Sequence, residues 1–222
     1  MKRRSFFKIL IAIYGLIGSV AYSKEKEHIS NKDKDENFNK LCIMGIGGGG
    51  TNIVDAISRL KTKHMYIHMN SDYNSLKQKK SKNKILLGWN EKLGLGCGGK
   101  VECGVSLINN EVKINIARLT KNVDTVYIVS SMGGGLGSGA TPEIVKYLKE
   151  IDKKIFVFVT VPFSFEGRKR LSIAYQSIEK IAEDADKLVV FKNDELLNNN
   201  NELGVRDTFN MTSNALLRMI NS

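Results

Sequence analysis

The chain has 222 residues, 42% hydrophobic and 26% charged, which places it among globular proteins able to bury a real core and outside the disordered and fibrous classes. Its net charge is +11; residues 1–40 carry nine bases and five acids, so +4 lies there and +7 in the remainder. A basic chain raises nucleic-acid binding, but its one dense run, Lys77, Lys79, Lys80, Lys82 and Lys84, has no interleaved aromatic. That run reads as a solvated loop, and no nucleic-acid partner is expected.

Residues 1–23 read as a targeting or membrane-anchoring leader. Lys2, Arg3 and Arg4 open it, 9–22 is uncharged and mostly apolar, and no acid appears before Glu25. The apolar run is short for a membrane span and suits a signal-peptide core, a plastid-type leader or a short tether. Residues 24–40 are charges and amides and read as a disordered linker. The folded unit, 41–222, begins with a strand at 41–44, a glycine segment at 45–52 and a helix at 53–60. A strand follows at 64–69, a short helix at 73–79, a strand at 85–87 and a glycine-rich loop at 88–99. Val105, Ile108, Val112, Ile116 and Leu119 recur at helical spacing and predict one helix over 102–119. Next come a strand at 125–129, a second glycine segment at 130–139 and a helix at 141–149 opened by Pro142. The continuously apolar 155–161 predicts a central parallel strand. A turn at 162–167, a helix bearing Leu171, Ala174, Tyr175, Ile178 and Ile181, a strand at 188–191, an asparagine run at 198–201 and a helix from Asp207 complete the chain. Strands alternating with helices predict an α/β fold: a Rossmann-like, mostly parallel sheet with helices on both faces.

Cys42, Cys97 and Cys103 are an odd set without C-x-x-C, which argues against a disulfide framework or zinc site and fits a reducing compartment. Cys42 falls in a strand and reads as a small core residue. His64 and His68 share a strand face but have no partner at metal-ligand spacing.

Two segments carry chemistry. In 130–139, SSMGGGLGSG, five of ten residues are glycine, between a buried strand and a helix start. Such a segment lets backbone N–H groups face an anion with the helix dipole behind them. The earlier GIGGGGTN places Gly45, Gly47 and Gly50 in the pattern G-x-G-x-x-G, with Asp72 about 20 residues on, which also suits a dinucleotide-binding enzyme. It is not a Walker A loop, since Thr51 follows Gly50. A dinucleotide fold has no use for the second cluster, whereas two glycine segments at one sheet edge suit a triphosphate.

GIGGGGTN, NSD at 70–72, GLGCGG at 94–99, SMGGGLGSGATP at 131–142, PFSFEGRKR at 162–170 and KNDELL at 192–197 resemble, in order and spacing, the tubulin/FtsZ family, and most closely the FtsZ branch of bacterial and plastid division GTPases. The resemblance covers about 41–218 and implies the GTPase-domain fold, GTP or GDP as ligand, magnesium, and head-to-tail protofilaments formed with itself or a full-length homologue. It further implies division-site membrane adaptors, a role in septation and a cytoplasmic or plastid-stromal location. By matching position it implies that Gly48, Gly49, Gly50, Thr51 and Asn52, with Gly133, Gly134, Gly135, Leu136, Gly137, Ser138 and Gly139, surround the phosphates. Gly96 and Gly98, in the 94–99 loop, close over the γ-phosphate. Asp72 sits near magnesium, Glu166 holds the ribose and Arg170 reaches ribose or phosphate. Asn52, Asn193 and Ser213 lie at the guanine edge and Phe209 stacks on the base.

Departures from the family pattern accompany the match. Leu136 replaces a threonine of the signature, Lys100 and Val101 replace Asn-Pro, and Ser213 replaces an acid or amide. The family's N-x-D-x-x-D loop, which completes the GTPase site of the next subunit, would follow the helix begun at Asp207. The expectation is therefore a GTP-binding domain truncated in that helix, with no catalytic residue of its own and hydrolysis only beside a partner. The alternative is a non-catalytic tubulin-like protein that caps or modulates a filament.

Overall fold

The apolar runs at 125–129 and 155–161 become the centre of a sheet, as strands covered on both faces must. The computed structural model describes residues 9–10, 13–14, 17–23, 41–59, 64–88, 94–198 and 205–220. The expected linker 24–40 and most of the asparagine run lie outside these. Six parallel strands carry the fold: β4 (Leu41–Ile46), β5 (Met65–Asn70), β6 (Asn83–Leu86), β7 (Thr125–Ser131), β8 (Lys154–Val161) and β9 (Lys187–Lys192). Their spatial order is β6-β5-β4-β7-β8-β9. The chain therefore winds outward from β4 in one direction and restarts at β7 in the other, so the β4/β7 boundary is the switch point of a doubly wound sheet. Three short strands, β1 (Ile9–Leu10), β2 (Ile13–Tyr14) and β3 (Ile17–Ser23), precede it, and β3 pairs antiparallel with β9 from Ser19↔Phe191 to Ser23↔Lys187.

Eight helices are described: α1 (Gly47–Ser58), α2 (Tyr73–Lys77), α3 (Val101–Ser106), α4 (Asn110–Leu119), α5 (Gly135–Glu150), α6 (Arg168–Asp184), α7 (Asn193–Asn198) and α8 (Val205–Ile220). Alternate strand residues feed two cores. Cys42, Met44, Ile128 and Val157 meet α4, α5 and α6 through Ile116, Ile144 and Ile178. On the opposite face Ile43, Val129, Phe158 and Val189 meet α1 and α8 through Ile53, Ile57 and Leu216. The helix expected over 102–119 is two helices. Its break at Leu107–Asn109 is stabilised by Asn109, whose side chain accepts the Val112 N–H at 3.0 Å and caps α4.

Cys42 is a buried free thiol, its pKa pushed up to about 12 by burial. Cys97 and Cys103 correct the expectation of unpaired thiols: they are disulfide-bonded, because α3 turns back over the 94–99 loop and brings their Cα atoms to 5.6 Å.

His68 is fully buried on β5, and neither ring nitrogen has a hydrogen-bond partner. Burial pushes its pKa down to about 4, against a smaller opposing pull from Asp55. Because the folded pKa lies below the unfolded one, the unfolded state binds the proton first, so stability is full above about pH 6.5 and falls as pH drops toward 4. That loss reaches about 3 kcal/mol. Denaturant unfolding at pH 7 and pH 5 tests it: His68→Leu should be more stable than the parent at pH 7 by about 1 kcal/mol, since an unsatisfied imidazole is removed, and its advantage should widen by about 2 kcal/mol at pH 5. Equal pH slopes in the two proteins would contradict the assignment.

Candidate functional site

Both glycine segments sit at the carboxyl edge of the sheet, one after β4 and one after β7, on either side of the switch point. Neither is a free loop. Each forms the first turn of a helix, α1 from Gly47 and α5 from Gly135. Neither helix has a side-chain cap or an acid in its first turn. Asp72 accepts the Ser75 N–H at 2.9 Å to cap α2 and Asn109 caps α4 in the same way, whereas α6 starts, like α1 and α5, with neither side-chain cap nor acid. Two adjacent helix starts that lack both cap and acid leave backbone N–H donors and positive dipole ends pointing at one place, the arrangement that holds an anion.

Their adjacency is set by small residues. A Cβ on Gly47 would lie 3.4 Å from the Gly137 nitrogen. Ser130 links the two strand ends: its hydroxyl donates to the Ile46 carbonyl at 3.3 Å and accepts from Thr141 Oγ1 at 3.0 Å. The glycines then divide by role. Positions 48 and 134 face open space, with no heavy atom within 4 Å of an added Cβ, and form the cradle itself. Gly49 abuts the Ser131 hydroxyl, Gly50 the Val129 carbonyl and Gly137 the Ser131 carbonyl, each closer than a Cβ tolerates. Gly135 and Gly139 abut Lys100 and Val101, which seats α3 on α5. These last contacts explain why so many glycines are needed: the cradle takes two, and close backbone packing takes the rest.

Side chains of the predicted set follow the same division. Thr51 is fully buried and donates to the Gly47 and Gly48 carbonyls at 2.7 and 3.0 Å, so its hydroxyl serves α1. Leu136 points into the core, leaving only its backbone for a ligand. The Ser138 hydroxyl accepts the Gly133 N–H at 2.8 Å and closes the turn in which Gly133 holds φ +85°. Gly133 also packs against Arg170, which brings the start of α6 to the cradle. There Glu166 accepts the Phe163 N–H at 3.0 Å and pairs with Arg170. Asp194, next to Asn193, accepts the Ser164 N–H at 3.0 Å and ties the start of α7 to that turn. Asn52 accepts from the Lys79 ammonium. Ser213 is buried on α8, which packs against α1; Phe209 lies on the same helix. Asp55 is held below the usual carboxylate range: burial opposes ionisation, but the Lys80 N–H and the Arg59 guanidinium outweigh it.

The 94–99 loop runs beside Asp72. Leu95 bridges Asp72, the Gly96 N–H donates to the Ser71 carbonyl at 3.1 Å and the Tyr73 N–H to the Gly94 carbonyl at 3.0 Å. Gly96 and Gly98 face open space with positive φ. Among the described residues no group of three potential metal ligands occurs. Residues the sequence reading passed over are Ser130, Thr141 and Lys79. Ser130 and Thr141 lie within or beside the glycine segment, and Lys79 within the basic run taken as solvated.

Switch-point placement and paired uncapped helix starts define a doubly wound α/β domain whose carboxyl edge is suited to an anion. The family model described as Tubulin/FtsZ family, GTPase domain, matches residues 40–201, and the chain belongs to that family. It is 31% identical over 183 residues to the cell division protein FtsZ of Aquifex aeolicus, covering 82% of this chain and 50% of that protein. To the FtsZ of Buchnera aphidicola it is 32% identical, covering 79% and 46%. An empty FtsZ dimer from M. jannaschii superposes with a TM-score of 0.75 at 26% identity, covering 84% of this chain and 54% of that one. A GTPγS-bound CetZ2 protofilament from Haloferax volcanii shares the fold, with a TM-score of 0.72 at 21% identity. The chain spans about half the length of the curated relatives it matches.

Proposed function

We propose that this chain binds GTP and GDP at the junction of α1 and α5, and that it assembles head to tail with itself or a full-length relative in a division filament. The observation that carries the reading is the convergence of two helix N-termini lacking cap and acid across the β4/β7 switch point. The backbone at 47–50 and 134–137 would hold the phosphates. Glu166 and Arg170, paired with each other beside the turn of Gly133, would take the ribose hydroxyls, a carboxylate accepting and a guanidinium donating. Asn52, Asn193, Phe209 and Ser213 would surround the base. Magnesium fits here in the manner usual for nucleotide sites, with one nearby carboxylate, Asp72, and the remaining positions filled by phosphate oxygens and water. It would supply charge neutralisation on the phosphates. We place the protein at the division site, with the N-terminal segment as its targeting or tethering element.

From the family resemblance we assign the water-polarising carboxylates to a neighbouring subunit, with this chain's backbone donors stabilising the developing phosphate charge. GTP turnover by this chain alone should be at least tenfold slower than in an equimolar mixture with a full-length relative, read as phosphate release after subtracting the relative's own rate. Equal rates would refute partner-dependent hydrolysis. Leu136 motivates a second reading: with its side chain in the core, the signature offers no hydroxyl there, and a filament modulator needs none. Titration with a fluorescent GTP analogue separates the two. Absence of nucleotide affinity with retained binding to the relative would favour the modulator.

A further inference from the structure

We propose that Cys97 and Cys103 form a reversible thiol–disulfide pair, and that its oxidation fixes the 94–99 loop and slows nucleotide release. The second half of this statement rests on the GTP reading above; the first does not.

Their placement carries the argument. Cys97 is the buried anchor of an otherwise glycine-rich loop, and Ser71 Oγ lies 3.9 Å from its sulfur. Cys103, six residues on and less buried, lies on α3. The bond therefore joins the loop to a helix that is itself locked onto the phosphate cradle. A Cβ on Gly104 would lie 2.5 Å from the Gly135 carbonyl oxygen, so α3 packs backbone to backbone on the start of α5. On its other side the loop is hydrogen-bonded to Ser71 and Tyr73, flanking Asp72. With the disulfide closed, Asp72, the loop, α3 and the signature turn form one connected unit. Gly96, Gly98 and Gly99 hold left-handed conformations with open space around them, so opening the bond leaves the segment 96–99 with wide backbone freedom. The Gly96 and Lys100 N–H bonds, the burial of Cys97 and the close approach of Gly99 to Gly135 are then what restrains it.

The chemistry balances by exchange with a small-molecule disulfide. The thiolate of Cys103, the more accessible sulfur, attacks that disulfide and releases one thiolate, giving a mixed disulfide. Cys97, deprotonated, then attacks the Cys103 sulfur and releases the second thiolate. Two protein thiols lose two protons and two electrons, and the small disulfide is reduced to two thiols.

The experiment equilibrates the full chain in glutathione buffers from fully reduced to fully oxidised. Loss of two hydrogens between Cys97 and Cys103 is read by peptide mass, and release of a fluorescent GTP analogue is timed in both forms. Oxidised protein should release nucleotide roughly three- to tenfold more slowly, the scale expected for pre-ordering a few loop residues. Cys103→Ser should release at the same rate with and without reductant. Failure of the pair to oxidise, or oxidation without change in release, overturns the proposal. If neither form binds nucleotide, the GTP reading fails on its own, and hydrogen exchange over 94–100 decides the thiol proposal: stronger protection in the oxidised form supports it, and equal protection overturns it.

Discussion

Alanine at Gly139 lowers the unfolding midpoint by roughly 2–8 °C, although alanine is the better helix former. In an exposed helix the change would stabilise by about 1 kcal/mol. Here a Cβ would lie 2.2 Å from the Val101 carbonyl oxygen and 2.8 Å from the Gly104 Cα, both backbone atoms that cannot rotate away. The atoms that must yield belong to α3, so α3 has to lift from α5. Overpacking of this kind costs about 1–3 kcal/mol, more than the helix-propensity gain returns. Thermal unfolding followed by circular dichroism reads the result directly. A midpoint equal to or above that of the parent would mean that α3 is not seated on α5 as described. Because α3 carries Cys103 and the end of the 94–99 loop, the same variant should also weaken nucleotide binding, a second readout from one methyl group.

That case shows which part of the fold the sequence disclosed and which part it concealed. Hydrophobic runs announced the central strands β7 and β8 most clearly, because strands buried on both faces are nearly continuous in apolar residues, while the edge strand β6 (NKIL) shows only its last two residues as apolar. The strand-then-glycine order announced the switch point. Helix starts were misplaced for a physical reason. Glycine has a poor intrinsic helix propensity, so 45–52 and 130–139 read as loops ending at 53 and 141. Tertiary contact decides otherwise: α1 and α5 begin at Gly47 and Gly135, because only glycine lets their first turns pack against the Ser131, Val129 and Lys100 backbones. Pro142 misled in the same way. It looked like the first residue of a helix, yet it sits within α5. A proline there removes the N–H that would bond to the Ser138 carbonyl. That carbonyl instead accepts the Ser177 hydroxyl at 3.0 Å, a donor supplied from α6 some 39 residues away. No local pattern discloses a partner at that distance.

The site was legible as types and order rather than as contacts. Glu166 and Arg170 were named by matching position; the structure pairs them with each other and packs the Arg170 backbone against Gly133. Thr51 and Leu136 were named for their neighbourhood, and their side chains turn inward, one to α1 and one to the core. The disulfide was hidden by counting: an odd number of cysteines without C-x-x-C discourages pairing, but six residues of loop and helix suffice to bring two sulfurs together. Proximity through a turn is a property of the fold and leaves no mark in the count.

Aspartate at Gly134 should abolish GTP binding without harming the fold. Gly134 is the N-cap of α5, with φ −97° and ψ 167°, a conformation every residue adopts, and an added Cβ meets nothing within 4 Å. An aspartate there supplies the side-chain cap that α5 lacks, which stabilises a helix by about 1 kcal/mol, and its charge complements the dipole. The same carboxylate occupies the place where phosphate charge is proposed to sit. Two like charges about 5 Å apart at an effective dielectric near 20 repel by about 3 kcal/mol, a loss of roughly a hundredfold or more in affinity for each close phosphate charge. Asparagine isolates the charge, since it caps as well and carries none. The expected order of GTP affinity is parent, then Gly134→Asn, then Gly134→Asp at the bottom, while the unfolding midpoints of both variants equal or exceed that of the parent. Calorimetric titration with GTP and a thermal melt of each protein measure the two scales. Equal affinity for the aspartate and asparagine variants would move the phosphates away from α5. An aspartate variant more stable than the parent yet unable to bind would show that the two helix starts are left uncapped in order to be capped by the nucleotide.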